Sequence, residues 1–205
     1  MKDFRSLSFA EQVAARACSG ERRGPSLGLG RTPASLRMLG FPDLPLRMTA
    51  GVFQKIATGK DGERDAVPLR VIARLPELID EPMALFDSAS VQGALVVLTT
   101  SRVASGVVIA AVLSNARDAN TTVNLVTSVY AKERSDWFAE QIRAGRLRYA
   151  DEKKGSDILE VSGLALDCGA EPGNRNPSAR KVLRAEDLRN FRTAQRAARL
   201  FSLVD

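Results

Sequence analysis

The chain contains no histidine at all. That removes the usual near-neutral general base and the commonest metal ligand, so zinc sites and Ser-His-Asp or Cys-His catalysis are not expected. Its two cysteines, Cys18 and Cys168, form no C-x-x-C pair and no disulfide framework. Long hydrophobic runs are also missing. The longest, Val107 to Leu113, is far too short to span a bilayer, and the first residues, Met1-Lys2-Asp3-Phe4-Arg5, lack the apolar stretch of a secretory signal. A soluble protein without a membrane partner is expected, and no metal or cofactor is implied.

What remains is ordinary globular composition, 44% hydrophobic and 26% charged over 205 residues, enough for one full core with extensions. Thirty basic residues stand against 24 acidic ones, a net charge of +6, which favours anionic partners and says nothing about fold. The excess is concentrated at one end. Between Arg175 and Arg199 eight basic residues face only Glu186 and Asp187.

Helical signals come first. Ser8 and Glu11 have capping-box spacing ahead of a helix from Phe9 to Cys18. After a Gly-rich basic stretch, Ser19 to Arg31, Thr32 caps a short helix from Pro33 to Leu39, and Thr49 caps another from Ala50 to Ala57. Leu69, Ile72, Ala73, Leu75 and Leu78 then recur at helical spacing between Pro68 and Pro82. Strands follow at Met83–Ser88, Ala94–Thr100, Gly106–Ser114 and Thr121–Ala131, joined by turns short enough for hairpins. A helix at Trp137–Ala144, a fifth strand at Arg146–Ala150 and a helical piece at Ser156–Ser162 complete the pattern. Helices followed by an antiparallel sheet give an α+β fold, with N-terminal short helices packed on a four- to five-stranded antiparallel meander. Residues 1–29 read as an N-terminal helix with a flexible segment, 30–170 as the α+β domain, and 171–205 as a linker with a basic C-terminal helix.

Two places carry candidate chemistry. By strict alternation, Asn124, Val126, Ser128, Tyr130 and Lys132 share one face of the last long strand, while Val123, Leu125, Thr127, Val129 and Ala131 share the other. The first face gathers an amide, a hydroxyl, a phenol and an ammonium; it is either a wetted sheet surface or a site. The second place is the helix from Ala185 to Phe201. Leu188, Phe191, Ala194, Ala198 and Phe201 form its apolar face, and Arg189, Arg192, Arg196 and Arg199 a stripe beside it. The apolar face is expected to dock and leave the arginines available, as a solvated basic face or for phosphate.

Six blocks in order carry a family resemblance: G-R-T-P-A-S-L-R-M-L-G-F-P-D-L-P-L-R-M-T (Gly30–Thr49), F-Q-K-I (Phe53–Ile56), L-P-E-L-I-D-E-P-M-A-L-F-D-S (Leu75–Ser88), L-V-V-L-T (Leu95–Thr99), N-L-V-T-S-V-Y-A-K (Asn124–Lys132) and L-R-Y-A-D (Leu147–Asp151). Together they resemble the domain at the C-terminus of phage MuF-type minor head proteins and in phage polyvalent proteins, over about Gly30 to Leu166. That domain is similar to the BECR group of small RNases and toxins (barnase, EndoU, colicin and RelE-like). The resemblance implies metal-independent cleavage of RNA by 2′-hydroxyl attack on phosphate, in a toxin or effector acting in a bacterial cytoplasm. It also implies a neutralising immunity or antitoxin partner. The alternative it leaves open is a catalytically inactive nucleic-acid-binding or virion-associated module, with RNA or DNA as partner.

Carried over by residue, the resemblance places Asn124, Ser128, Tyr130 and Lys132 at the catalytic face, with Arg31 and Lys55 approaching from the helical half. Relatives tend to read Lys-His where this chain has Lys60-Asp61. A histidine-free site would have to use Asp61, Tyr130 or a lysine, with Arg189, Arg192 and Arg196 adding phosphate contacts. Plainer roles compete: Arg31 paired with Asp43, Lys55 as an exposed helix lysine, Asp61 as a turn residue, and Trp137 as core or rim.

Overall fold

A computed structural model describes residues 3–59, 65–132, 135–155 and 182–201. Short helices dominate the N-terminal half, some with side-chain caps and some without. In α1 (Phe9–Ser19) Ser8 accepts from the Glu11 amide while Glu11 accepts from the Ser8 amide, and Gly20 (φ 64°) ends the helix in the left-handed conformation. The next helix, α2 (Ala34–Arg37), is shorter than its sequence pattern and begins after Pro33, whose side chain cannot cap it. Thr32, the expected cap, instead donates its hydroxyl to the Leu44 carbonyl at 2.6 Å. Thr49 does cap α3 (Ala50–Thr58), accepting from Val52 N at 3.2 Å. The run from Pro68 to Pro82 splits into α4 (Leu69–Ile72) and α5 (Leu75–Asp80). Pro76 has no N–H to offer the Ile72 carbonyl four residues back, and its ring crowds that carbonyl, so the second helix must start afresh.

Eight strands form one mixed sheet. In chain order they are β1 (Leu27–Arg31), β2 (Pro45–Met48), β3 (Ala84–Asp87), β4 (Ala94–Val103), β5 (Gly106–Asp118), β6 (Thr121–Lys132), β7 (Leu147–Ala150) and β8 (Leu183–Arg184). Across the sheet the order is β1-β2-β6-β5-β4-β3-β7-β8. The α+β class is as expected, but a separate four- to five-stranded antiparallel meander is not what forms. Strands do occupy the five expected places, β3 to β7, and pair antiparallel. They sit inside a larger sheet, because β2 joins β6 in parallel and β8 joins β7 in parallel. The added strands are short: β1 carries Gly28 and Gly30 and reads locally as a flexible stretch, while β2 opens on Pro45 and reads locally as no more than a brief extended segment, Leu44 to Met48. The boundary expected between residues 29 and 30 falls inside β1. The helical piece at 156–162 and the linker at 171–178 lie outside the described residues.

Both faces of the sheet are covered, which fixes its register. One face, with Val97, Val108, Ala110, Val112, Val126 and Val129, packs against Leu36, Phe53, Ile72, Leu75 and Ile79 of the N-terminal helices. The other, with Ala84, Phe86, Leu98, Val107 and Ile109, packs against Phe138 of α6 (Ser135–Arg143). Each fully buried aliphatic or aromatic side chain contributes roughly 1.5–3 kcal/mol, and a one-residue slip would exchange the two sets. The final helix, α7 (Ala185–Phe201), is seated at its N-terminal end. Leu188 is buried and Phe191 packs on the larger core, whereas Ala194 and Ala198 are exposed. Among the described side chains, the apolar face therefore docks in its first half. Asp187 Oδ2 accepts from Arg184 N at 2.8 Å, closing the start of the helix.

Tyr149, only 1% exposed, sits in this core between Leu85 and Leu183 on the neighbouring strands. Burial, reinforced by the carboxylate of Asp151, pushes its phenol up to about 12 against the opposing pull of Arg192 and Arg189. A raised folded value means that the phenol's contribution is complete below the unfolded pKa of about 10 and is lost as pH rises toward the folded value. Urea midpoints measured between pH 9 and 12 should therefore fall more steeply for the parent protein than for Tyr149→Phe. Parallel curves would contradict this account of the phenol.

Candidate functional site

Strand β6 contains one more residue than its partner accommodates. Ser128 pairs with Ala111 and Val126 with Val112, so Thr127 is bulged out of the ladder. Alternation restarts across the bulge, and this reassigns the expected polar face. Ser128, Tyr130 and Lys132 share the side of Ala111, Ile109 and Val107, which is the face that α6 covers. Asn124 lies on the opposite face with Val126 and is fully buried.

The three residues that remain together sit at the edge of the α6 packing. Tyr130 packs partly buried against the smaller core. Lys132 Nζ stands 5.4 Å from the centroid of the Trp137 ring, a cation–π contact. Trp137 itself makes edge contacts with Phe86 and Phe138 at centroid separations of 6.0 and 5.1 Å, which makes it a rim residue of that core. Lys55 is exposed on α3, and Lys60 and Asp61 lie outside the described residues.

Asn124 has a structural task. Its Nδ2 donates to Thr32 Oγ1 at 2.6 Å and to the Pro42 carbonyl at 2.9 Å, while its Oδ1 accepts from Asn115 N at 3.2 Å. One buried amide thus ties β6 to both ends of the α2 segment and to the irregular end of β5, where Asn115 adopts φ 52°. The expectation that Asn124 acts at a catalytic face is corrected on this ground: its polar atoms are committed and closed to solvent.

The segment that Asn124 holds forms one wall of an arginine-rich cleft of about 390 Å³. Arg31, Thr32, Pro33 and Arg37 line it from β1 and α2, Pro76 and Asp80 from α5, and Arg192, Gln195, Arg196 and Arg199 from α7. Of the basic residues singled out in the sequence, Arg31, Arg192, Arg196 and Arg199 are brought together here, whereas Lys55 and Arg189 do not line the cleft. Asp43 is paired with Arg31, as the plainer role of that arginine had it, whereas Arg37, Asp80 and Gln195 carried no local signal, because contacts between distant stretches of chain bring them here.

Carboxylates hold part of this charge in place. Asp43 bridges two arginines, at 3.0 Å from Arg31 Nη2 and 2.9 Å from Arg37 Nη1. The Arg31 hydrogen bond holds the Asp43 carboxyl below the usual carboxylate range; partial burial opposes this, and the charges of Arg37, Arg31 and Arg199 add to it. In return Asp43 raises the Arg31 guanidinium, through the hydrogen bond first and then its charge. Arg37 also donates to Gln195 Oε1, joining α2 to α7. Arg192 is pinned by Asp80, at 3.0 Å from the carboxylate and 2.7 Å from the carbonyl, and reaches Glu81 at 3.6 Å. Glu81 is itself held low, chiefly by a hydrogen bond from Lys154 and then by that ammonium's charge. Arg192 is thus a strut between α7 and α5 rather than an available cation. Arg196 is exposed and makes no ion pair among the described residues.

Residues 57–157 match the family described as the phage MuF-C-terminal domain. That match supports a phage MuF-type domain over a segment holding α4, α5, the antiparallel strands β3 to β7, and α6. No curated protein and no solved structure matches the chain. Of the cleft residues only Pro76 and Asp80 fall in the matched segment, whereas Ser128, Tyr130 and Lys132 all do.

Replacing Asn124 by Ala takes the side-chain partner from the Asn115 amide and one of two donors from the Pro42 carbonyl, which keeps Leu44 N, and should cost roughly 1–3 kcal/mol of folding stability. Urea denaturation checks this. A loss well under 1 kcal/mol would show that the amide is not the tie described.

Proposed function

We propose that this chain binds nucleic acid, RNA foremost, by taking phosphate into the arginine cleft, as a phage-associated module. The observation that carries the reading is the convergence of Arg31, Arg37, Arg192, Arg196 and Arg199 on one cleft from elements far apart in sequence. Guanidinium groups match phosphate oxygens in geometry and stay charged at all relevant pH. A fold that only needed a solvated surface would gain nothing by gathering five of them. Their mutual repulsion is offset by Asp43, Asp80 and Glu81, which leaves the site preorganised while still positive.

Affinity carried by phosphate contacts falls steeply with salt. Single-stranded RNA should therefore bind the parent protein with a negative salt slope. Arg196→Glu or Arg31→Glu should weaken binding about tenfold or more and flatten that slope, because each removes one charge-assisted contact and adds a repulsion. Fluorescence anisotropy at two salt concentrations checks this. Unchanged affinity in both variants would remove the cleft as the binding site.

Metal-independent RNA cleavage is a second reading. Ser128, Tyr130 and Lys132 favour it, since they share one face within the family-matched segment. In that reaction a 2′-hydroxyl attacks the adjacent phosphorus and the 5′-oxygen leaves. Lys132 and Ser128 would stabilise the non-bridging oxygens and Tyr130 would move a proton. A cleaving enzyme of this kind would act on RNA in a bacterial cytoplasm and need a neutralising protein in its own host. RNA incubated in EDTA should then yield fragments with cyclic phosphate ends, lost in Lys132→Ala. Intact RNA with the parent protein would count against cleavage without touching the binding reading.

A further inference from the structure

The shape of the arginine cleft bears on which form of nucleic acid can enter it. Its volume, about 390 Å³, falls at the small end of ligand pockets, roughly 300–1,000 Å³, and suits a ligand of one nucleotide unit. Three walls surround that space, β1 with α2, then α5, then α7. Proteins that read a DNA duplex push a convex element, a helix or a β-ribbon, into its groove. Here the basic residues line a concavity instead.

The lining is mixed. Pro33 and Pro76, both half-buried, set apolar rings beside the guanidinium groups. No aromatic side chain lines the cleft among the described residues, so these rings and the guanidinium planes are the surfaces on which a sugar or base can lie. Inside a duplex the bases are stacked and paired. To bring one against Pro33 and Pro76, a duplex would have to extrude a nucleotide, which costs unstacking and unpairing energy. An unpaired strand has no pairing to break.

The donors left for a ligand stand on different walls. Arg37 is committed to Asp43 and Gln195, and Arg192 to Asp80 and to Glu81, whose main partner is Lys154. Arg31, on β1, uses Nε and Nη2 on Asp43 and keeps Nη1. Arg196, on α7, makes no hydrogen bond or ion pair among the described residues. A phosphate held by both must lie between the walls rather than against an outer surface.

We propose that the cleft takes one unpaired nucleotide, its phosphate between Arg31 and Arg196 and its sugar or base against Pro33 and Pro76, so that the chain selects single strands over duplex. This rests on the anion-binding reading of the cleft and adds to it the form of nucleic acid that fits.

Charge alone predicts the reverse order, because a duplex carries its phosphates more densely than a single strand. Three RNAs test the proposal: a single strand, the blunt duplex of the same sequence, and that duplex with a single-stranded overhang. Their affinities for the parent protein and for Arg196→Ala are compared by fluorescence anisotropy at one salt concentration. The single strand and the overhang duplex should bind alike, and the blunt duplex about tenfold or more weaker, the scale of one charge-assisted contact. In Arg196→Ala the two favoured RNAs should weaken about tenfold while the blunt duplex hardly changes. A blunt duplex that binds as tightly as the single strand, an overhang that restores nothing, or a preference that survives intact in the variant would each overturn selection by the cleft and leave nucleic-acid binding standing. Absence of binding to any of the three would overturn both. Arg196 is exposed, so the variant keeps its fold, and a thermal melt matching the parent establishes this.

Discussion

One buried amide holds the two halves of this protein in register. Asn124 lies within the sheet with no exposure to solvent, and its hydrogen bonds reach the chain on either side of α2 and the irregular end of β5. The chain around α2 is short, interrupted by Pro33, Gly40, Pro42 and Pro45, and could not by itself place Arg31, Arg37 and Asp43. Tied to β6 through Thr32 and Pro42, it becomes a wall. A buried donor or acceptor without a partner costs about 1–3 kcal/mol, so alternative placements of this loop are disfavoured by more than any surface ion pair could recover.

From that anchor the electrostatics follow. Gathering arginines in one cleft is unfavourable unless carboxylates are interleaved, and the carboxylates are supplied by two different stretches of chain. Asp43 serves two arginines at once, while Asp80 and Glu81 hold α7 against α5. The C-terminal helix is therefore retained by a small apolar contact, Leu188 and Phe191, together with a charged strut. Its outer half, including Arg196, projects its basic side chains at the cleft. Among the described strands β1 alone lines the cleft, yet the doubly covered sheet is the rigid element from which both walls hang.

Much of the fold was legible in sequence for physical reasons. The capping box at Ser8 and Glu11, the Thr49 cap and the long alternating strands are local signals, and local interactions enforce them. What could not be read was non-local. The strand β1 is built from glycines that look like a flexible loop, and β2, in sequence only a brief extended segment, enters the sheet by pairing with β1 and, in parallel, with β6. The bulge at Thr127 was equally hidden: a period of two predicts that Asn124 and Ser128 share a face, and one extra residue puts them on opposite faces. The arginine stripe of the last helix was visible, but not that Arg192 would be consumed by Asp80, nor that Arg37 would join from α2. Such partnerships link residues more than a hundred positions apart and leave no periodic trace.

The central claim, that the arginine cleft is where an anionic partner binds, is tested most directly by following the arginine Nε–Hε resonances during titration with single-stranded RNA. The account predicts that signals of Arg31 and Arg196 move first and saturate together, while the Tyr130 and Lys132 side-chain signals stay in place. Shifts confined to Tyr130, Lys132 and Trp137, with the cleft arginines unmoved, would contradict it and relocate the site to the sheet face under α6.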